Sequence, residues 1–122
     1  MELYLIFYLL FVHWVADFVF QDEEWALNKS TSWNALMEHT SVYAGVLCIA
    51  FIPILWTSAI YFAAVNFIWH TTIDFITSKI VKKRFENKYL GGSIPNLGAF
   101  TIIGFDQVLH YIILFATLQY FL

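Results

Sequence analysis

Four apolar runs of membrane-spanning length dominate this sequence, at residues 2–20, 35–52, 54–78 and 99–122. The hydrocarbon core of a bilayer is about 30 Å thick, and a helix needs about 20 predominantly apolar residues to cross it. Unpaired backbone groups are costly in lipid, so apolar runs of this kind cross it as helices. The sequence therefore predicts an all-α integral membrane four-helix bundle, with residues 1–122 forming a single four-span domain.

The composition excludes several other classes of protein. The chain is 61% hydrophobic and only 12% charged, whereas soluble domains are about a quarter charged. No basic patch carries a recognition motif, so a nucleic acid is not an expected ligand. Cys48 is the single cysteine, which rules out an internal disulfide and a cysteine-based metal site. The first run begins with Met1-Glu2 and lacks a small-residue cleavage site, so it is predicted to be retained.

Cap and breaker residues indicate where the helices begin and end. Residues 21–34 predict a short interfacial helix and a turn, after which Ser32 or Asn34 could cap the second span. Pro53 is expected to end that span near residue 52 and to begin the third, because proline disfavours helix at the residue before it. Spans two and three would then form a tight antiparallel hairpin.

The basic residues indicate the orientation. All six Lys and Arg residues fall in the connections between spans one and two and between spans three and four. By the positive-inside rule these connections are cytoplasmic, which leaves both termini on the outer side. We therefore expect a multi-pass membrane protein in contact with the lipid bilayer.

The few polar residues of the spans follow one spacing. In the third span Asn66, His70, Asp74 and Ser78 recur every four residues, which places them on one stripe of a helix. The same histidine–aspartate spacing recurs elsewhere, and one more histidine begins the second span; these residues are His13, Asp17, His39, Asp106 and His110. Every histidine of the chain is in this set. The predicted topology puts all seven His and Asp residues in the cytoplasmic half, although their positions were not used to derive it, so we expect one convergent site.

A divalent metal ion would explain such a site. An ionisable group at mid-membrane costs about 2.5–3.5 kcal/mol on insertion scales, and a cation offsets that cost while keeping the imidazoles neutral and ligating. The predicted ligands are His13, Asp17, His39, His70, Asp74, Asp106 and His110. This number suits either two ions or one ion with further polar partners, and zinc, manganese and iron are all compatible. Gln21, Asn66 and Gln107 are candidates for contacts to the ligands or the substrate, and Asp17 or Asp106 for the catalytic proton acceptor.

Other interpretations of the same residues stay open. Polar side chains can simply join membrane helices through hydrogen bonds, and two histidines could ligate a haem, although haem would not explain the aspartates. A small transporter or channel could use the same His and Asp residues to bind and pass protons or metal ions. Homo-oligomerisation is also open.

The pattern resembles a known family. It consists of His13-Trp14-Val15-Ala16-Asp17-Phe18 with Gln21, then His39-Thr40, then Asn66 with His70 and Asp74, then Asp106-Gln107 with His110. Over nearly the whole chain it is similar to small bacterial and phage membrane proteins classed as a domain of unknown function. This resemblance implies a location in a bacterial inner membrane. More distantly, it resembles inner-membrane metal-dependent hydrolases in residue types and spacing. The expected function is a metal-dependent hydrolase acting from the cytoplasmic side on a phosphorylated or lipid-linked substrate, with the transporter as the alternative.

Overall fold

The computed structural model describes all 122 residues, and helices account for most of them. The helices are α1 (Leu3–Trp14), which continues as a π-helical turn (Val15–Val19), α2 (Glu23–Asn28), α3 (Trp33–Leu55), α4 (Ser58–Glu86) and α5 (Ala99–Phe121). The chain contains no strand. The prediction of an all-α protein is confirmed.

Three helices are long and apolar enough to cross a membrane: α3, α4 and α5. The segment Leu3–Val19 is apolar but shorter. Large apolar side chains such as Phe7, Ile49, Ile60 and Ile112 are exposed on the outside of the helices, whereas the His and Asp residues of the predicted site are buried. This arrangement, apolar outside and polar inside, is suited to a lipid environment.

The expected break at Pro53 is wrong. Pro53 lies inside α3, which ends two residues later at Leu55. A proline removes one hydrogen bond and crowds the preceding turn, but near the end of a helix few backbone bonds depend on it. The chain turns instead at Trp56, whose φ of 53° is incompatible with a right-handed helix.

The third predicted span is also displaced, because α4 runs from Ser58 to Glu86 rather than over residues 54–78. Its extension carries the basic residues, and Lys83 and Arg84 in the last turn interact favourably with the carboxyl end of the helix. At the other predicted cap, Ser32 accepts a hydrogen bond from the Ala35 amide at 3.2 Å and begins α3 as expected.

The buried residues differ between the two ends of the helices. One half contains an apolar cluster to which α1, α3, α4 and α5 all contribute, with Leu9, Leu47, Phe51, Phe62 and Leu114 among its members. This half adjoins the chain termini and the turn between α3 and α4. The other half adjoins the α1–α3 and α4–α5 connections, and it contains the buried histidines and aspartates.

Candidate metal centre

All seven predicted ligands are buried, and the structure brings them together at one level of the bundle. They come from four helices: α1 with its π-helical turn, α3, α4 and α5. The four-residue spacing places His70 above Asp74 on α4 and His110 above Asp106 on α5. The remaining geometry depends on how these stripes face each other.

Asp17 occupies the π-helical turn. Phe20 donates its amide hydrogen to the Val15 carbonyl at 2.9 Å, five residues back instead of four. Such turns contain one residue more than an α-helical turn and are frequent at functional sites. Here the turn holds Asp17 toward the histidines of α3 and α4, and Asp17 Oδ1 lies 3.1 Å from His39 Nε2 and 3.4 Å from His70 Nε2.

Four ligand atoms face one point between the helices. The two nitrogens His39 Nε2 and His70 Nε2 are 3.1 Å apart. Asp74 Oδ2 lies 3.3 Å from each of them. The ligand atoms that Asp17, His39, His70 and Asp74 offer all lie within 4.8 Å of one another, so these four residues could hold a metal ion.

A second group adjoins the first. Asp17, Asp106 and His110 also offer ligand atoms within 4.8 Å of one another. His110 Nε2 lies 3.2 Å from Asp106 Oδ2 and 3.1 Å from Asp74 Oδ1. Asp17 therefore belongs to both groups, and Asp74 contacts both through different oxygens.

His13 is in neither group, although it lies beside them. Its Nδ1 is 3.0 Å from the Tyr43 hydroxyl and its Nε2 is 2.7 Å from Gln107 Oε1. The distance from His13 Nε2 to Asp17 Oδ2 is longer, at 3.7 Å. Because both ring nitrogens already have hydrogen-bond partners, His13 fits a supporting position better than a ligand position.

The two central histidines each have an unpaired Nδ1, and the ring of His70 is held by stacking. The Nδ1 atoms of His39 and His70 are buried without a hydrogen-bond partner. Tyr43 stacks on the His70 ring with centroids 3.8 Å apart, and His110 stacks on it at 4.1 Å. A proton on each Nδ1 leaves the Nε2 lone pairs directed at the shared point, which is the tautomer that a metal ligand requires.

Lys29 is a functional candidate that the sequence analysis missed. It follows α2, and its Nζ lies 3.1 Å from both Asp74 Oδ2 and Gln21 Oε1. Burial lowers the pKa of Lys29, but the carboxylates of Asp74 and Asp17 raise it more, so the pKa lies above the ordinary value of 10.5. The ammonium is therefore charged at neutral pH. The contact of Lys29 with α4 is visible only in the folded chain, since an isolated lysine in a polar connection carries no sequence signal.

The three additional polar candidates have different surroundings. Gln21 contacts Lys29, and Gln107 bridges His13 and Asp106. Asn66 lies away from the carboxylates and donates to the Phe62 carbonyl and the Thr117 hydroxyl, each at 2.9 Å. Its position in the four-residue stripe suggested a role at the site, but two helical turns separate it from Asp74.

A cavity of about 540 Å³ opens beside the carboxylates. Asp17, Asp74 and Asp106 lie at its floor, and the π-helical turn, α2, the end of α4 and the start of α5 form its walls. Lys29 and Lys82 provide its cationic groups, and Phe18, Leu27, Val81, Phe85 and Ile103 provide apolar surface. The predicted site is thus reachable from the end of the bundle that carries the basic connections.

Comparison with known proteins identifies one family. No curated protein matches the chain, and no solved structure matches it. A family model described as "Protein of unknown function (DUF3307)" matches residues 5–122 and so includes every residue of the candidate centre. The chain belongs to this DUF3307 family.

Proposed function

We propose that this protein is a membrane-embedded, metal-dependent hydrolase that acts on a phosphorylated or lipid-linked substrate from the cytoplasmic side of a bacterial inner membrane. In this proposal the four long apolar segments form a four-span bundle with both termini outside. Asp17, His39, His70 and Asp74 hold one divalent ion, and Asp17, Asp106 and His110 offer a position for a second. Zinc, manganese and iron all suit such nitrogen and oxygen ligands.

One observation carries the proposal: the spacing of the four central ligand atoms. Zinc bonds to histidine nitrogen and carboxylate oxygen are about 2.0–2.2 Å long, so the edges of a tetrahedron of such ligands measure about 3.3–3.6 Å. Five separations among these atoms are 3.1, 3.1, 3.3, 3.3 and 3.4 Å. Five of the six separations are thus close to the edges of a tetrahedral metal site, which supports the proposal.

Hydrogen bonds alone account poorly for the same distances. Each Nε2 has either one hydrogen or one lone pair, directed along a single line in the ring plane. His39 Nε2 nevertheless lies within 3.3 Å of another imidazole nitrogen and of two carboxylate oxygens, and one hydrogen cannot serve all three. A cation at the shared point interacts with every one of these atoms at once.

The surrounding residues suit hydrolysis. A divalent ion would supply a Lewis acid and an acidified water in these apolar surroundings. Asp106 lines the cavity and is held by Thr77 and Gln107, so it is the better placed of the two predicted proton acceptors. In phosphoester hydrolysis the water oxygen bonds to phosphorus and the bond to the alcohol oxygen breaks. Asp106 accepts a proton from the attacking water, and this proton then passes to the departing alcohol oxygen.

The apolar half of the bundle supports an enzyme over a transporter. A transporter needs a polar route from the site to the opposite side of the membrane. Beyond His70, the interior is filled mainly by the apolar cluster that contains Leu47, Phe51, Phe62 and Leu114. The cavity, in contrast, reaches the carboxylates from the other end.

Elemental analysis together with a hydrolysis assay tests the proposal. We expect divalent metal to copurify with the wild-type protein and to be lost from His39→Ala. The matched control, Asn66→Ala, removes another buried polar side chain and should keep the metal. Chelation should lower the melting temperature and abolish phosphoester hydrolysis, and added divalent ion should restore both.

Two other outcomes would contradict the proposal. If the wild-type protein contains no metal and its melting temperature is unaffected by chelator, the hydrogen-bonding interpretation is supported. Metal-loaded protein that moves protons or metal across liposomes without hydrolysis would support the transporter.

A further inference from the structure

The cavity beside the carboxylates combines two surfaces that a small polar substrate would not need. Its floor is ionic, with Asp17, Asp74 and Asp106 close together. Its outer wall is apolar, and Phe18, Leu27 and Phe85 are 46%, 67% and 44% exposed. The volume of about 540 Å³ lies within the range typical of small-molecule sites. An ionic floor that meets an exposed apolar wall complements an amphiphile.

The charges at the cavity indicate the polar group of that amphiphile. Lys29 Nζ lies 3.1 Å from Asp74 Oδ2, so its ammonium borders the candidate metal position. Lys82 is farther out, 42% exposed, and only loosely paired with Glu86 at 4.0 Å. Two ammonium groups and a divalent ion would attract a multiply charged anion. The three aspartates, together with Glu86, which also lines the cavity, would repel it, so anion binding should require the metal.

Ser78 adds an unused polar atom to the same cavity. It is one of the lining residues, and its buried Oγ has no hydrogen-bond partner. Buried polar groups almost always have partners, and a phosphate oxygen accepts hydrogen bonds from hydroxyl groups. Ser78 thus lies one turn along α4 from Asp74, between the carboxylate floor and Lys82, where a headgroup would be held.

We propose that the cavity binds a lipid phosphate monoester from the surrounding bilayer. Its phosphate lies beside Lys29, Lys82 and Ser78, above the metal-bearing carboxylates, and its chain lies along Phe18, Leu27 and Phe85 toward the lipid. The proposal rests on the proposed function in one respect, because the carboxylates need a bound cation before they tolerate a phosphate. It adds the class of substrate and the surface by which this substrate enters.

Photocrosslinking in vesicles tests the proposal without relying on turnover. The protein is reconstituted in phosphatidylcholine vesicles that contain a small fraction of phosphatidic acid with a diazirine in its chain. After illumination of metal-loaded protein, we expect the labelled peptides to contain Phe18, Leu27 or Phe85. Chelation should remove most of the labelling.

Variants of the two lysines test the polar contacts. Lys29→Met and Lys82→Gln should each lower the labelling about tenfold, the effect of losing one charge-assisted hydrogen bond. Lys83→Gln changes an exposed neighbour that does not line the cavity and should leave the labelling unchanged.

Competitors distinguish the possible sources of the ligand. Unlabelled phosphatidic acid should suppress the crosslinks, whereas inorganic phosphate and diacylglycerol should not. Equal suppression by inorganic phosphate would mean that the site takes soluble phosphate, and equal suppression by diacylglycerol would mean that only the apolar wall binds; either result overturns the proposal. Hydrolysis of soluble phosphoesters without lipid labelling would contradict the lipid substrate and support the proposed enzyme. Specific labelling without any hydrolysis would support the lipid site and contradict the proposed enzyme.

Discussion

The three buried aspartates have different neighbours, and these differences separate their roles. Asp17 and Asp74 each contact the two central histidines. Asp106 does not; it contacts His110, Gln107 and Thr77 and lines the cavity. In the proposed function, binding the central ion and accepting a proton therefore belong to different carboxylates.

Asp106→Asn tests this separation. It keeps the shape of the side chain but removes the basic oxygen, so we expect hydrolysis to slow by about 10²- to 10⁴-fold, the usual contribution of a general base. The protein should still hold at least one ion per chain, because the central four ligands are intact. Thr77→Val removes only the hydroxyl that orients Asp106 and should slow the reaction less. Loss of all metal from Asp106→Asn, or an unchanged rate, would contradict the assignment.

At this scale the sequence revealed the cluster of buried His and Asp residues but not its partners. The four-residue spacing of His and Asp is visible in the sequence because a helix converts it directly into one face. Lys29, Tyr43 and Thr77 were missed because their roles depend on how separate helices approach each other. Asn66 shows the opposite error, since a shared stripe does not imply a shared depth.

Among the elements, α2 is the least firmly anchored. None of its six residues is buried, yet it precedes Lys29 and forms part of the cavity wall. Its main connection to α3 is the hydrogen bond from Trp25 Nε1 to Glu38 Oε2, at 2.7 Å. Asp22 caps its first turn by accepting from the Glu24 amide. This helix is thus the part of the cavity that can open with the least disruption elsewhere.

Trp25→Phe should loosen α2 selectively. The substitution keeps an aromatic ring and removes the donor, at a cost of about 1.5–3 kcal/mol for a hydrogen bond to a charged group. We expect faster amide hydrogen exchange in residues 23–29, with α3, α4 and α5 unaffected and the metal content unchanged. Glu38→Gln retains an acceptor and should have a smaller effect. Equal acceleration across all helices would show that the contact supports the whole fold instead.

Element boundaries were predictable where local chemistry decides them. Ser32 caps α3 as expected because its side chain needs only a nearby amide. The prediction that the helix ends before Pro53 is wrong because the effect of a proline depends on its position in a helix. Two residues from the helix end, Pro53 is tolerated. The π-helical turn at Val15–Val19 left no sequence signal, since the stretch fits an α-helix equally well and the packing of Asp17 against two other helices selects the wider turn.

At the scale of the whole molecule, the first apolar segment is short for a membrane span. The segment Leu3–Val19 has 17 residues and would be about 26 Å long at the rise of an α-helix, less than the hydrocarbon core of about 30 Å. The other three candidates are each at least 23 residues long. Even so, His13 and Asp17 contact residues of α3, α4 and α5, so this segment lies alongside them. Local thinning of the bilayer can accommodate a short span at modest cost.

Cysteine labelling decides whether this short segment crosses. In a Cys48→Ala background, single cysteines replace Glu2, Ala26, Glu86 or Leu122, all of which are exposed. If all four segments cross, an impermeant maleimide should label positions 2 and 122 from outside intact spheroplasts, because the basic connections stay in the cytoplasm. Positions 26 and 86 should react only after permeabilisation, which also serves as the control for reactivity.

A different pattern would reveal three spans. If position 2 reacts only after permeabilisation while position 122 reacts from outside, the first segment does not cross. Three spans would then remain, and His13 and Asp17 would have to reach the centre from an interfacial helix.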